Sequence, residues 1–199
     1  DGDQRSAALV AASSRRWEIL ALLTARGADA RAADADGRTA LMLAVEAGPP
    51  SAVRDLLAAK APLDAADGRR NTPLILASRA GREEAVRLLV EARADLDAAN
   101  ADGSPALKVA VEAGHKAVVK LLIDADCTVD DWQVVGSWAL KKGSFGFARD
   151  DESMWRLLQD CKAKRDLEAS MPRSILQRKQ QSEGGRGGGA GAGAAPQAP

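Results

Sequence analysis

The stretch Asn71-Thr72-Pro73-Leu74-Ile75-Leu76-Ala77-Ser78-Arg79-Ala80-Gly81-Arg82-Glu83-Glu84-Ala85-Val86-Arg87-Leu88-Leu89 decides the fold. Thr72 is a natural helix N-cap. Pro73 follows at the first helical position, where its missing N–H costs nothing and its fixed φ helps. Leu74, Ala77 and Ser78 then fall at helical spacing. Gly81 suits the left-handed conformation that ends a helix. A second helix is expected from about Arg82 to Glu91, with Ala85, Val86, Leu88 and Leu89 as its apolar face. Beyond it, the segment from Asp95 to Gly103 carries hairpin-like turn chemistry into whatever comes next.

What comes next is the same pattern again. Thr39 and Thr72 stand one period apart, and Leu41, Leu74 and Leu107 keep the register. So do Ala44, Ala77 and Ala110, then Gly48, Gly81 and Gly114, then Val53, Val86 and Val119, then Leu56, Leu89 and Leu122. One step back reaches Ser6, Ala11, Leu20 and Leu23. The spacing defines units 1–33, 34–66, 67–99 and 100–132. Helices of about ten residues are marginal alone. Each must bury its apolar stripe on its neighbours, which is why such units come in arrays. The expected fold class is an all-α repeat solenoid of helix-turn-helix units joined by hairpin-like loops.

These residues resemble the ankyrin repeat, a family marked by a turn Asp and Gly, then Thr-Pro-Leu, Ala, Gly-His, a Val and a Leu pair. The second unit matches with Asp34, Gly37, Thr39, Leu41, Ala44, Gly48, Val53, Leu56 and Leu57. The third has Asp67, Thr72, Pro73, Leu74, Ala77, Gly81, Val86, Leu88 and Leu89. The fourth has Asn100, Gly103, Leu107, Ala110, Gly114, His115, Val119, Leu121 and Leu122. The resemblance implies a non-catalytic protein–protein interaction module, an adaptor or scaffold that binds through its fingers and the exposed face of its first helices.

The departures carry expectations of their own. Gln4 and Arg15 replace two glycines of the first unit, as in a terminal repeat. Arg70 replaces the turn Gly of the third unit, and Gly68 two positions earlier is expected to reshape that finger. Lys60, Arg93 and Asp126 stand where Gly27 keeps the family's glycine. They either accept a left-handed backbone or end the helix differently. Pro105 takes the Thr position of the fourth unit, so Ser104 is expected to cap in its place.

Past residue 132 the register half persists. Gly136, Trp138, Ala139 and Leu140 fall in register, and Met154-Trp155-Arg156-Leu157-Leu158 resumes three residues late. Residues 133–168 read as a degenerate capping unit, the alternative being a separate element. Residues 169–199 form an extension: a weak helical signal at 170–182 around Ile175 and Leu176, then a Gly/Ala-rich tail that cannot offset its ordering entropy.

Composition limits the chemistry. The chain has 199 residues with 28 basic and 28 acidic side chains, so no global field attracts nucleic acid or anionic lipid. Two cysteines, Cys127 and Cys161, make no disulfide framework and no zinc motif. No apolar run approaches the roughly 20 residues of a membrane helix. No targeting signal is visible from Asp1, and an intracellular, reducing compartment is expected, cytoplasm or nucleus, with an organelle as the alternative if a targeting segment has been trimmed from the start. His115 is the only histidine and reads as a loop hydrogen-bonder. Cys127 and Cys161 read as packed thiols. The acidic cluster Asp124, Asp126, Asp130 and Asp131 lacks the pattern of a calcium loop. No phosphate-cradling loop exists. No catalytic residue, cofactor or metal is therefore expected. The segment with Lys162, Lys164, Arg165, Arg173, Arg178 and Lys179, with Gly-Gly-Arg-Gly-Gly at Arg186, leaves a nucleic-acid role as the weakest reading. A structural subunit of a large assembly, held also by the C-terminal extension, is the main alternative to a free adaptor.

Periodicity names the candidate protein-binding residues by column. Asp36, Arg69 and Asp102 form one; Arg38, Asn71 and Ser104 a second; Glu46, Arg79 and Glu112 a third. Met42, Ile75 and Lys108 are expected along the same helix face. The columns alternate in charge, which favours a protein or peptide over a phosphate backbone. Trp132 and Trp138 fall on finger positions of the last junction, and either meet a partner or seal the cap.

Overall fold

Hydroxyl caps set the helix starts. In a computed structural model describing residues 6–125 and 156–163, Ser6, Thr39 and Thr72 hold extended backbone. Their side-chain oxygens accept the N–H of Leu9, Met42 and Ile75 at 3.2, 3.3 and 3.4 Å. Helices α1 (Ala7–Ser13), α3 (Ala40–Ala47) and α5 (Pro73–Arg79) follow, and α7 (Ala106–Ala113) occupies the same place in the fourth unit. The second helices are α2 (Trp17–Ala25), α4 (Pro50–Ala58), α6 (Glu83–Glu91) and α8 (Lys116–Asp124). First helices start at 7, 40, 73 and 106 and second helices at 17, 50, 83 and 116, so each step is the 33 residues of the sequence period.

The expected Ser104 cap does not form. Pro105 is the N-cap residue of α7 and gives no side-chain bond. Ser104 is buried, and its backbone N–H donates to Asn100 Oδ1 at 2.9 Å. It belongs to the finger before the helix, because it stands one residue ahead of the N-cap position, in the place of Arg38 and Asn71.

The first helices pack as one row, α1–α3–α5–α7, and the second helices as another, α2–α4–α6–α8, with each pair also packed on itself. This is an all-α repeat solenoid. Its core runs as columns: Leu41, Leu74 and Leu107 from the first helices, and Leu56, Leu89 and Leu122 from the second, all buried. Antiparallel bridges Ala33–Thr39 and Ala99–Pro105 close hairpin fingers at the ends of the units. A further helix, α9, covers residues 156–163 and buries Leu158 and Cys161. The chain divides into a unit Asp1–Gln159, which holds α1 to α8, and a unit Asp160–Pro199. Apart from α9, the capping unit at 133–168, the extension at 169–199, Gln4, Asp126, Cys127, Trp132 and Trp138 lie outside the described residues.

Two alternatives from the sequence resolve the same way. Lys60 and Arg93 adopt φ of 58° and 68°, matching Gly27 at 79°, so they accept the left-handed backbone rather than ending the helix differently. Arg70 does likewise, with φ of 58° against 77° at Gly37 and 64° at Gly103. The third finger keeps the turn bonds of its neighbours, Asp67 N–H to the Asn71 carbonyl and Arg70 N–H to the Asp67 carbonyl, but lacks the antiparallel bridge that the other two have. A left-handed L-residue costs about 1–2 kcal/mol, while glycine raises the unfolded chain's entropy by an amount worth roughly half of that. Lys60→Gly and Arg93→Gly are each expected to stabilise the fold by about 0.5–1 kcal/mol, read as a raised urea midpoint; lowered midpoints would contradict the assignment.

Candidate protein-binding surface

Each finger is organised by one side-chain oxygen at its base. Asp34 Oδ1 accepts the N–H of Asp36 at 3.0 Å and of Arg38 at 2.8 Å. Asp67 Oδ1 accepts Arg69 at 2.9 Å and Asn71 at 2.7 Å, and Asn100 Oδ1 accepts Asp102 at 3.0 Å and Ser104 at 2.9 Å. The fingers are also tied to one another through the backbone. Gly68 N–H donates to the Asp36 carbonyl at 2.8 Å, and Ala101 N–H to the Arg69 carbonyl at 2.9 Å. The column Asp36, Arg69 and Asp102 thus has its main chain fastened while its side chains are exposed.

The second and third columns meet each other instead of standing free. Arg38 Nη2 is ion-paired with Glu46 Oε2. One unit on, Arg79 Nη2 donates to Asn71 Oδ1 at 2.8 Å. Asn71 is only 2% exposed and is spent on internal bonds. Its Nδ2 donates to Asp67 Oδ2 at 2.9 Å, and its Oδ1 also accepts Asn100 Nδ2 at 3.4 Å. Asn71 and Ser104 are therefore finger struts, not side chains offered to a partner. The reason is geometric: each stands one residue before the N-cap, at the finger's base, where the turn side chain binds its amide.

Met42 and Ile75 are a second correction. Both are completely buried, and only Lys108 of their column is half-buried. Helices α3 and α5, which carry Met42 and Ile75, are each flanked by two others in the row, so this strip is consumed by helix–helix packing. Arg79 is exposed, whereas Arg38, Glu46 and Glu112 are half-buried.

The titration of Asp67 is shifted by its place in the finger. Partial burial pushes it up, but the Asn71 side chain, the backbone N–H groups of Asn71 and Arg69, and the Arg79 charge outweigh that. They hold it below its ordinary value of 3.8. A depressed folded pKa means its contribution to stability is present above the unfolded pKa and is lost as pH falls through the folded one. The urea midpoint is expected to drop on acidification below about pH 4, and Asp67→Asn should flatten that limb while keeping the Oδ1 turn bonds, as Asn100 does. An identical acid limb in the variant would exclude Asp67 as its origin.

Candidate reactive groups are committed to the scaffold. His115 is the residue before α8; its Nε2 lies 3.1 Å from the Arg79 carbonyl, an N–H donation that ties α8 back to the end of α5. Arg82, one unit earlier, donates from Nη2 to the Gly48 carbonyl. Among the described residues there is no group of three potential metal ligands, and no helix is long and apolar enough to cross a membrane.

Sequence reasoning missed the role of Asp34, Asp67 and Asn100 as finger organisers. The available signal was a short acceptor side chain two and four residues before the amides that it binds. Residues 48–131 match a family model described as ankyrin repeats, in three copies. No curated protein matches the chain. Repeats of that family are in general protein–protein interaction modules and typically non-catalytic.

Proposed function

Ankyrin repeats fill residues 48–131 of this chain, and from that premise we propose that it is a non-catalytic, intracellular adaptor or scaffold. It binds a protein partner along the fingers and the adjoining ends of the first helices. One observation carries this reading. Successive fingers are fastened by the Gly68–Asp36 and Ala101–Arg69 backbone bonds, so Asp36, Arg69 and Asp102 project from a pre-set main chain. Neighbouring helices pack about 8–10 Å apart, so these three charges span roughly 20 Å, the scale of a standard protein interface. Little binding energy is lost to ordering such a surface. Alternating sign along the column suits a partner with the opposite alternation.

The test reverses the column: Asp36→Lys, Arg69→Glu and Asp102→Lys together. Exposed side chains of this kind barely affect folding, so the melting curve should be unchanged. Affinity capture from the native source, quantified by mass spectrometry, should lose its specific partner at least tenfold. Partner recovery equal to that of the wild-type chain would refute the finger surface.

A further inference from the structure

Among the described residues, Arg15, Lys60, Arg70 and Arg93 hold a left-handed backbone without being glycine, with φ of 54°, 58°, 58° and 68°. Arg15, Lys60 and Arg93 have a local reason. Each directly follows the C-cap of a helix (α1, α4 and α6), where a cation meets the negative end of the helix dipole. Arg70 has no helix end beside it. It stands in the turn of the third finger, where the second and fourth fingers place Gly37 and Gly103 in the same backbone. Its finger also lacks the bridge that closes the other two. Arginine is thus the poorer choice for folding at this turn, and backbone strain of that kind gathers at sites of function.

Arg70 is accompanied by Arg69 and Arg79, and all three are exposed. They converge on Asp67. Arg69 N–H donates to its Oδ1 at 2.9 Å, and Arg70 N–H to its carbonyl at 2.7 Å. Arg79 reaches it through Asn71, which accepts from Arg79 Nη2 and donates to Asp67 Oδ2. Both carboxylate oxygens of Asp67 are taken up by these internal bonds. Glu46 is paired with Arg38, and Glu84 with Arg54 and Arg87, but no carboxylate among the described residues lies within ion-pair distance of Arg69, Arg70 or Arg79. One enclosed carboxylate therefore faces three exposed guanidinium groups.

The charges to either side define what fits. Asp36 and Asp102 are exposed on the neighbouring fingers, each about 8–10 Å away, the spacing of the stacked helices. A nucleic-acid strand, with a phosphate every few ångströms, would set phosphates against both. A protein segment with a short acidic centre and basic or neutral flanks meets no such repulsion. Arginine forks bind carboxylates through paired N–H bonds, and Arg79 is already oriented by Asn71. We propose that Arg69, Arg70 and Arg79 anchor a short acidic segment of the protein partner, two adjacent carboxylates flanked by basic or neutral residues. This rests on the fingers being the binding face and assigns that face its anchor.

Selection of random phage-displayed peptides on the full chain tests it. Enriched peptides should carry adjacent aspartates or glutamates with lysine or arginine outside them. Synthesised with the corresponding amides instead, they should no longer bind. Arg70→Gly should weaken such a peptide about tenfold, the loss expected for one hydrogen-bonded charge. It should also raise the urea midpoint, by more than Arg93→Gly does, so that stability and affinity move in opposite directions. Arg93→Gly should leave peptide affinity unchanged. Peptides that bind Arg70→Gly as tightly as wild type overturn the anchor, as does a selection that enriches no peptide. A DNA oligonucleotide that binds as tightly as the peptides and is lost with Arg70→Gly overturns it in favour of nucleic acid. Non-acidic peptides that are lost on the Asp36, Arg69 and Asp102 reversal overturn the anchor but leave the finger surface standing. Peptides indifferent to that reversal sink both.

Discussion

Leu89→Ala is expected to destabilise the protein by about 2–5 kcal/mol, the range for removing a fully buried leucine and leaving part of its volume empty. Leu89 has no exposed surface, and its helix α6 packs against α4 on one side, α8 on the other and α5 beneath. The site cannot collapse easily, because backbone on three sides is held in helices. A middle unit also transmits the loss to two neighbours, since stability in an array is a sum of unit and interface terms. Leu23→Ala, one column member in the half-buried end unit, should cost clearly less. Urea denaturation followed by circular dichroism reads both. Equal midpoints for Leu89→Ala and wild type would mean that the core column is misassigned.

Gly81→Ala should cost about 2 kcal/mol through two separable causes. Gly81 has φ of +67°, so an L-residue there pays the left-handed penalty of about 1–2 kcal/mol. A Cβ would also lie 2.6 Å from His115 Cε1 and Nδ1, far inside contact distance. The ring would have to move, and its bond to the Arg79 carbonyl, worth about 1 kcal/mol, would go with it. Gly→Ala recovers some of this by restricting the unfolded chain, by about 0.4–1 kcal/mol. A double-mutant cycle with His115→Ala isolates the steric part: in that background Gly81→Ala should cost only about 1 kcal/mol. Gly27→Ala is the matched control, with φ of +79° and nothing within 4 Å of its Cβ. Additive effects of Gly81→Ala and His115→Ala would show that the ring does not press on this glycine.

Much of the architecture was legible because its signals are local. Thr72 before Pro73, glycines at 27, 81 and 114, and apolar residues at helical spacing act within a few residues of themselves. A period then copies them along the chain. The departures were harder. Arg70 looked like a broken turn, yet an arginine adopts the glycine backbone there because Asp67 holds the finger on both sides of it. Ser104 looked like a cap, yet it stands one residue before the N-cap position, which Pro105 fills.

The candidate site was legible only in part. A period of 33 says which residues are equivalent, not which way they point. Met42 and Ile75 share a column with Lys108, and only stacking of the first helices shows that the first two are core. Asn71 has the composition of a surface residue and is almost wholly enclosed by Asp67, Arg79 and Asn100.

By itself, then, the amino-acid order determined the unit, its length, its two helices and the columns along which side chains repeat. Those follow from capping, backbone preference and helical spacing, which need no distant partner. Tertiary structure decided which columns are core, which are struts and which reach solvent. Burial is a relation between elements: Met42 and Lys108 occupy the same place in the period, and Met42 is enclosed because α3 is packed between α1 and α5.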